Sequence, residues 1–466
     1  MSTAPAASDN EDFSLRLCEE IARWRYEDLP AEVVQTLKLL VLDTLGVIGG
    51  AVNAPGIHEL NGRLGKWESS GSATGLIGKC RYSPPTAALA NGAAAHALDF
   101  DDQHDPARAH GSCVLLPALL ATAEDVGNVS GRDFLLAFAV GAEIEARLGV
   151  ACYNSLRKGW HPTMVFGTLA AGLAAGSLLK LDPEGLRNAL GMAFHQTAGS
   201  AQSMRDGVLS KRLGPGFAAR AGVLGAFLAA DGLTGTRRPL EGNAGLFSLY
   251  ERDEVNSGAL TEKLGEAWHI PDYSFKPWPG CRCNHTTIGL GIGLSKQGVK
   301  PGDVRQIEIG LGNLNWLTVG APYDAARKSV THAQFNAAYS FARALIDGHV
   351  DLRSFQVTVL DDPAVVSLTA KTNVIADPII DPATQSARIK VTLRDGRIIQ
   401  ARSDVMKGSP EDPMSKDELL AKFRSCLDFG IGASLADSNR LAEVALNIEN
   451  EKYAAAAIVN AFPAPR

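Results

Sequence analysis

Apolar residues recur at helical spacing through most of the first half of the chain. Residues 12–27 and 31–52 predict two helices divided by Leu29-Pro30. In the second, Val33, Leu37, Leu40, Val41, Leu45 and Ile48 share one face. Residues 53–82 are less regular, with a possible short strand around 75–77. Ser83-Pro84-Pro85 offers a cap and a first-turn proline for a helix from about residue 84, whose Ala87, Leu89, Ala90, Ala93, Ala94 and Leu98 suit a buried element. Further helices are expected over 114–126 (capped by Ser112), from Ser130-Gly-Arg-Asp133 to about 150, over 161–179, and after Asp182-Pro183. Glu143 and Arg147 are spaced as a helix ion pair. Small residues at three- and four-residue spacing in 167–176 and 218–232 predict helices whose backbones approach closely.

The period changes near residue 268. Residues 304–320, 355–371 and 387–403 alternate at strand spacing, the last with Asp395-Gly396 as a hairpin turn; 331–346 is helical. From Ser415 the helical pattern returns. The expected fold is therefore mainly α. A large all-helical domain is formed by both chain ends (12–267 and 408–462), with a smaller α+β domain at 268–407 and a disordered stretch at 1–11.

Composition narrows the function classes. Of 466 residues, 45% are hydrophobic and 21% charged, with a net charge of -6, as in ordinary globular proteins. No basic tract points to nucleic acid. The longest apolar stretch, 39–52, contains Asp43 and is short for a membrane span, so a buried helix is expected. Seven scattered cysteines and no signal-like start predict a reduced, cytoplasmic setting.

Candidate chemistry is concentrated in residues 96–112. His96, His104 and His110 stand there with Asp99, Asp101, Asp102, Asp105 and Arg108. Asp99 falls at a helix C-terminus, where the macrodipole disfavours an acid, so its place serves something other than helix stability. Asp101-Asp102-Gln-His-Asp105 matches the aspartate-rich motif of prenyl synthases, but no second acidic motif follows. The histidines and Cys281-Arg-Cys283-Asn-His285 lack strict metal-ligand spacing, so no metal is expected. Gly214-Pro-Gly216 opens a helix on this reading, and Arg205, Lys211 and Arg212 ahead of it suit a substrate with several carboxylates. His161 precedes a helix start, where the dipole favours the neutral imidazole.

Taken in order, these segments resemble the MmgE/PrpD family. They are His96-Ala-Leu-Asp-Phe-Asp-Asp-x-His104, His110-x-Ser112, Gly159-x-His-Pro-Thr163, Lys211-Arg-Leu, Lys276-x-Trp-Pro-x-Cys281-x-x-x-His285 and Ala333-Gln-Phe-Asn-Ala-Ala-Tyr339. The family includes 2-methylcitrate dehydratase, cis-aconitate decarboxylase and iminodisuccinate epimerase. The resemblance implies a helical domain with an α+β lid, a homodimer, and catalysis without metal or organic cofactor. It implies Asp99, His110, His161, Lys211 and Tyr339 as catalytic residues. Gln103, His104, Arg205, Arg212, Lys276 and His285 are the expected substrate-binding residues. Gln103 and Gly111 stand where many members have threonine and proline.

The shared chemistry is proton transfer at carbon beside a carboxylate, which needs cations on the oxygens and an imidazole for the proton. Asp99 could fix a tautomer or carry a proton. The expected activity is a cofactor-independent lyase on a small di- or tricarboxylate, foremost a 2-methylcitrate dehydratase. Decarboxylation of an aconitate isomer, epimerisation of an amino-dicarboxylate, and mere organic-acid binding are the alternatives.

Overall fold

The computed structural model describes residues 12–381 and 384–465, so the expected disorder of 1–11 lies outside the described residues. The fold is mainly α, with small sheets. One large apolar core is built from helices between Ala31 and Ala230 together with Lys416–Ile431, Leu435–Leu446 and Ala454–Ala461. Helices from the two chain ends meet face to face. A Cβ on Gly46 would lie 2.8 Å from the Phe423 ring, and one on Gly49 2.3 Å from Leu427, so only glycine admits Lys416–Ile431 this close to Ala31–Gly50.

The same contact holds a buried ion pair. Lys422 Nζ lies 2.6 Å from Asp43 and donates to the Phe100 carbonyl at 2.7 Å, tying helix Lys416–Ile431 to the loop that carries Asp99 and Asp101. Burial pushes the Asp43 pKa up while Lys422 opposes it. Lys422→Met would leave a buried carboxylate without its cation. A loss of about 3 kcal/mol or more is expected, read as a lower denaturation midpoint in urea.

Pro84–His96 crosses Ser210–Ala230 at a glycine contact, where a Cβ on Gly216 would meet the Leu89 carbonyl at 2.4 Å. This crossing brings Lys211 to Asp99. Ala31–Gly50 and Ser210–Ala230 are long and apolar enough, by length and composition alone, to cross a membrane; here 72% and 61% of their most apolar windows are buried within the fold. The apolar helix at Ala31–Gly50 is thus longer than the stretch noted in the sequence.

A second core lies between residues 281 and 401. Its sheet runs Thr372–Ala376, Val304–Leu311, Ala387–Leu393, Ile398–Ser403; the first pair is parallel and the others antiparallel. Ala387–Leu393 alternates buried and half-buried positions, and the Asp395-Gly396 hairpin forms as expected, with Gly396 at φ 89°. Helices His285–Lys296 and Ala337–Asp347 pack in the same core.

Several elements differ from the sequence reading. Residues 355–371 are not a strand: Asp362 accepts from the Ala364 N–H at 2.9 Å and Pro363 occupies the first turn of helix Pro363–Thr369, so local capping overrides the alternating pattern. Strand Val304–Leu311 ends early, and Asn313–Val319 is helical because Trp316 turns inward to donate to the Val374 carbonyl. Helix Ile57–Trp67 occupies part of the irregular link. Ser112 begins its helix and does not cap it. Gly214-Pro-Gly216 lies inside Ser210–Ala230, where it serves helix packing and opens no anion site. The expected helix over 331–346 breaks at Phe335-Asn336, with the Asn336 side chain capping the Tyr339 N–H at 2.9 Å. That break turns Phe335 toward the cavity described next.

Candidate active site

Asp99 follows the helix Pro84–His96 and has a left-handed backbone, φ 52°, which an aspartate tolerates better than most residues. The surroundings hold it there. Its carbonyl accepts from Lys276 Nζ and from the Gly280 N–H, both at 2.9 Å. Its carboxylate accepts from Lys276 at 2.8 Å and from Lys211 at 2.5 Å. Burial alone would raise its pKa, but Lys211 and Lys276 outweigh burial and hold it well below the usual carboxylate range. Asp99 therefore neither carries a proton nor orients a histidine. It anchors two ammonium groups, Lys211 of helix Ser210–Ala230 and Lys276 of the segment that leads into the second core.

The tautomers are set by its neighbours. His96 Nδ1 lies 2.7 Å from Asp101, and His110 Nδ1 lies 2.7 Å from the Asp102 carbonyl and 3.3 Å from Asp101. A carbonyl only accepts, so Nδ1 of His110 carries the proton and Nε2 is its reactive nitrogen. The rings of His96 and His110 are 4.9 Å apart, edge to face, and those of His96 and His161 6.3 Å apart. Burial pulls His96 down to about 4 despite Asp101, and burial with Lys211 pulls His161 well below its ordinary value. Beneath them, burial and then Asp101 push Asp102 up to about 7.

Asp99, Gln103, His110, His161 and Lys211 line one inner cavity of about 50 Å³, with Arg108 and Phe335 beside them. It adjoins an outer cavity of about 680 Å³, with which it shares Leu156, Met204, Thr318 and Phe335. Arg157, Arg205 and Arg327 line the outer one together with Asp324, which pairs with Arg327, so its wall carries a net positive charge towards anions.

The other expected residues stand elsewhere. Arg205 belongs to the outer cavity. Lys276 lies behind Asp99, fully buried. His104 packs against the rings of Tyr273 and His269, 5.1 and 5.8 Å away, because the short pairing of Gln103–His104 with Tyr273–Ser274 turns it there. His285 sits beside Arg282, which it approaches at 3.3 Å. Arg212 turns to the opposite side of its helix and donates to the Pro55 carbonyl. Tyr339 is buried in the second core, donating to the Ser354 carbonyl at 2.7 Å and accepting from Arg343. Tyr339→Phe should therefore change kcat/KM less than twofold while costing about 1 kcal/mol of stability, measured by steady-state kinetics and urea unfolding.

Sequence reasoning gave no role to Asp101 as the histidine clamp, to Arg108, or to Phe335. Asp101 and Arg108 had a signal, since both lie in the histidine-rich loop. Phe335 lies in the Ala333–Tyr339 segment, where the sequence marks Tyr339 and gives no sign that Phe335 lines the cavity. Arg282, which also lines the inner cavity, is engaged by Asp105 and the Lys407 carbonyl.

Among the described residues two groups have ligand-type atoms close together: His96, Asp101 and Cys113, and His104, His269 and Asp272. In the first, His96 Nδ1 is engaged by Asp101. In the second, His104 Nδ1 accepts from the Ala107 N–H at 3.2 Å, which places the ring proton on Nε2 and leaves no lone pair there for a metal. Cys281 and Cys283 are free thiols at the inner cavity, not a bonded pair.

The buried neutral histidines make the fold acid-sensitive. His96, His104, His161 and His285 all have lowered pKa values, chiefly from burial, so the unfolded chain binds more protons than the native one below pH 6.5. Their contribution is fully present above that pH and is lost as pH falls towards about 4. Asp102 and Asp43, whose pKa values are raised, act in the opposite direction, so the readout is the difference: between pH 6.5 and 4.5 the urea midpoint of His161→Asn should fall less, or rise more, than that of the native chain.

Two family models match the chain: the MmgE/PrpD N-terminal domain over residues 15–257 and the MmgE/PrpD C-terminal domain over 278–448. The chain is 31% identical to the cis-aconitate decarboxylase-like protein oryM of Aspergillus oryzae, over 95% of each sequence. It is 31% identical to the human cis-aconitate decarboxylase, over 85% of this chain and 84% of the relative. It is also 28% identical to the cis-aconitate decarboxylase of Aspergillus terreus, over 92% and 91%. With both domains matched across nearly its whole length, the chain belongs to the MmgE/PrpD family and is a lyase.

Proposed function

We propose that this lyase decarboxylates an unsaturated tricarboxylate of the cis-aconitate type. The reading rests on one observation: His110 and the Lys211 ammonium line the same inner cavity, with Arg108 beside them. The names of the relatives support decarboxylation over the dehydration of 2-methylcitrate favoured on resemblance alone.

Electrostatics favour the same choice. Dehydration needs a strong base for a C–H proton as well as an acid for the departing hydroxide. His96 and His161 have lowered pKa values and are weak bases, which leaves His110 as the one imidazole to move a proton. Decarboxylation needs only one proton donor. The bond from carbon to the departing carboxylate breaks, and its electron pair becomes the new C=C bond. The old π pair takes a proton at the carbon beside a remaining carboxylate, and CO2 leaves. Charge builds on that carboxylate, where Lys211 and Arg108 stabilise it. His110 delivers the proton from Nε2; Nδ1 stays on the Asp102 carbonyl, with Asp101 balancing the ring charge. Gln103 and His161 fix the substrate's orientation. The outer cavity takes the part of the substrate that the inner one has no room for.

The test is release of CO2 from a panel of cis-aconitate, trans-aconitate, citrate, isocitrate and 2-methylcitrate by the purified full chain. CO2 from cis-aconitate alone is expected. Loss of water from 2-methylcitrate, with no CO2 from any acid, would restore the dehydratase reading.

A further inference from the structure

A second cavity, of about 420 Å³, lies between the two cores on the far side of the residues that form the candidate active site. Leu98, Leu352, Phe355, Val357 and Phe429 give it an apolar face, Asn53, Gln334, Gln356 and Thr358 add polar groups, and Arg212 lines it too. Arg212 is only 3% exposed. Its Nη1 donates to the Pro55 carbonyl at 3.2 Å, and among the described residues no carboxylate pairs with it. Burial lowers its pKa to about 10, with Asp99 acting in the other direction.

Two other buried arginines of this fold, Arg147 and Arg282, have carboxylate partners. Arg147 pairs with Glu143 at 2.7 Å and donates to the carbonyls of Glu262 and Ala267. Arg282 pairs with Asp105 and donates to Lys407. A guanidinium has five N–H groups in a planar fork. Those that the Pro55 carbonyl does not take are left beside the cavity, where a planar anion can accept from two at once.

The two cavities are back to back. Leu98, Arg212 and Gln334 line the second one, and their chain neighbours Asp99, Lys211 and Phe335 line the first. Gln334 also donates to the Leu98 carbonyl at 2.7 Å, closing the wall between them. We propose that this cavity is a second small-molecule site, which takes a monocarboxylate with an apolar body and seats its carboxylate on Arg212. A planar carboxylate matches the guanidinium fork, and the Phe355 and Phe429 wall matches an alkyl or aryl chain. A tricarboxylate does not fit such a wall, so the site differs in ligand class from the catalytic one.

Isothermal titration of the full chain with decanoate tests this, with decanol as the neutral control. Decanoate should bind, and decanol should bind at least about tenfold more weakly, as expected for loss of a charge-assisted contact. Arg212→Met should weaken decanoate at least about tenfold. Val357→Trp, a change at a half-exposed rim position, should block it by filling the cavity. Lys211→Ala should leave it bound. The proposal is overturned if decanoate does not bind, if it binds equally to the Arg212→Met and Val357→Trp variants, or if Lys211→Ala abolishes binding that Arg212→Met retains. None of these readouts requires turnover, so they stand apart from the proposed decarboxylation.

Discussion

Lys211→Met is expected to lower kcat/KM for cis-aconitate by about 10²–10³-fold, the range seen when one donor to a developing oxyanion is removed. Lys211 Nζ lies 2.5 Å from Asp99 and 4.7 Å from the centre of the Phe335 ring, so the ammonium is fixed at the inner cavity before any substrate arrives. The variant keeps Asp99 paired, because Lys276 still donates to its carboxylate at 2.8 Å. Circular dichroism and the urea midpoint should therefore show a folded protein while steady-state kinetics show the loss. A folded variant with near-normal kcat/KM would remove Lys211 from the site.

His110→Gln should lower kcat by about 10²–10⁴-fold, as expected when a positioned proton donor is lost, with a much smaller change in KM. The glutamine amide can still donate to the Asp102 carbonyl, which accepts from His110 Nδ1 at 2.7 Å in the native protein, but it holds no transferable proton. The split between kcat and KM separates this role from simple binding. If KM rises and kcat is unchanged, His110 is a binding group and the proton comes from elsewhere.

Much of this site was legible in the sequence because the loop at residues 96–112 concentrates its chemistry in one stretch. Asp99 was marked by its unfavourable place at a helix end, and the structure shows the two lysines that compensate it. His161 was marked by the helix start that follows it. What the sequence could not show was direction. Lys211 and Arg212 are adjacent, yet a helix turns successive side chains about 100° apart, so one faces each cavity. Tyr339 shares a motif with Phe335, but across the break at Asn336 Phe335 reaches the inner cavity while Tyr339 is held by Ser354 and Arg343. The helices were readable from apolar periodicity, while 355–371 was misread because alternation says little where Asp362-Pro363 sets the backbone. Lys422 and Asp43 are far apart in sequence, and no local pattern links them.

The central claim is that one imidazole protonates carbon as CO2 departs. Proton NMR of cis-aconitate with the purified protein in D2O measures this directly. Methylenesuccinate carrying one deuterium, in the methylene beside a carboxylate, is the result expected from a single proton delivered through exchange with solvent. Unchanged cis-aconitate, or a product in which water has been added and all carboxylates remain, would contradict it.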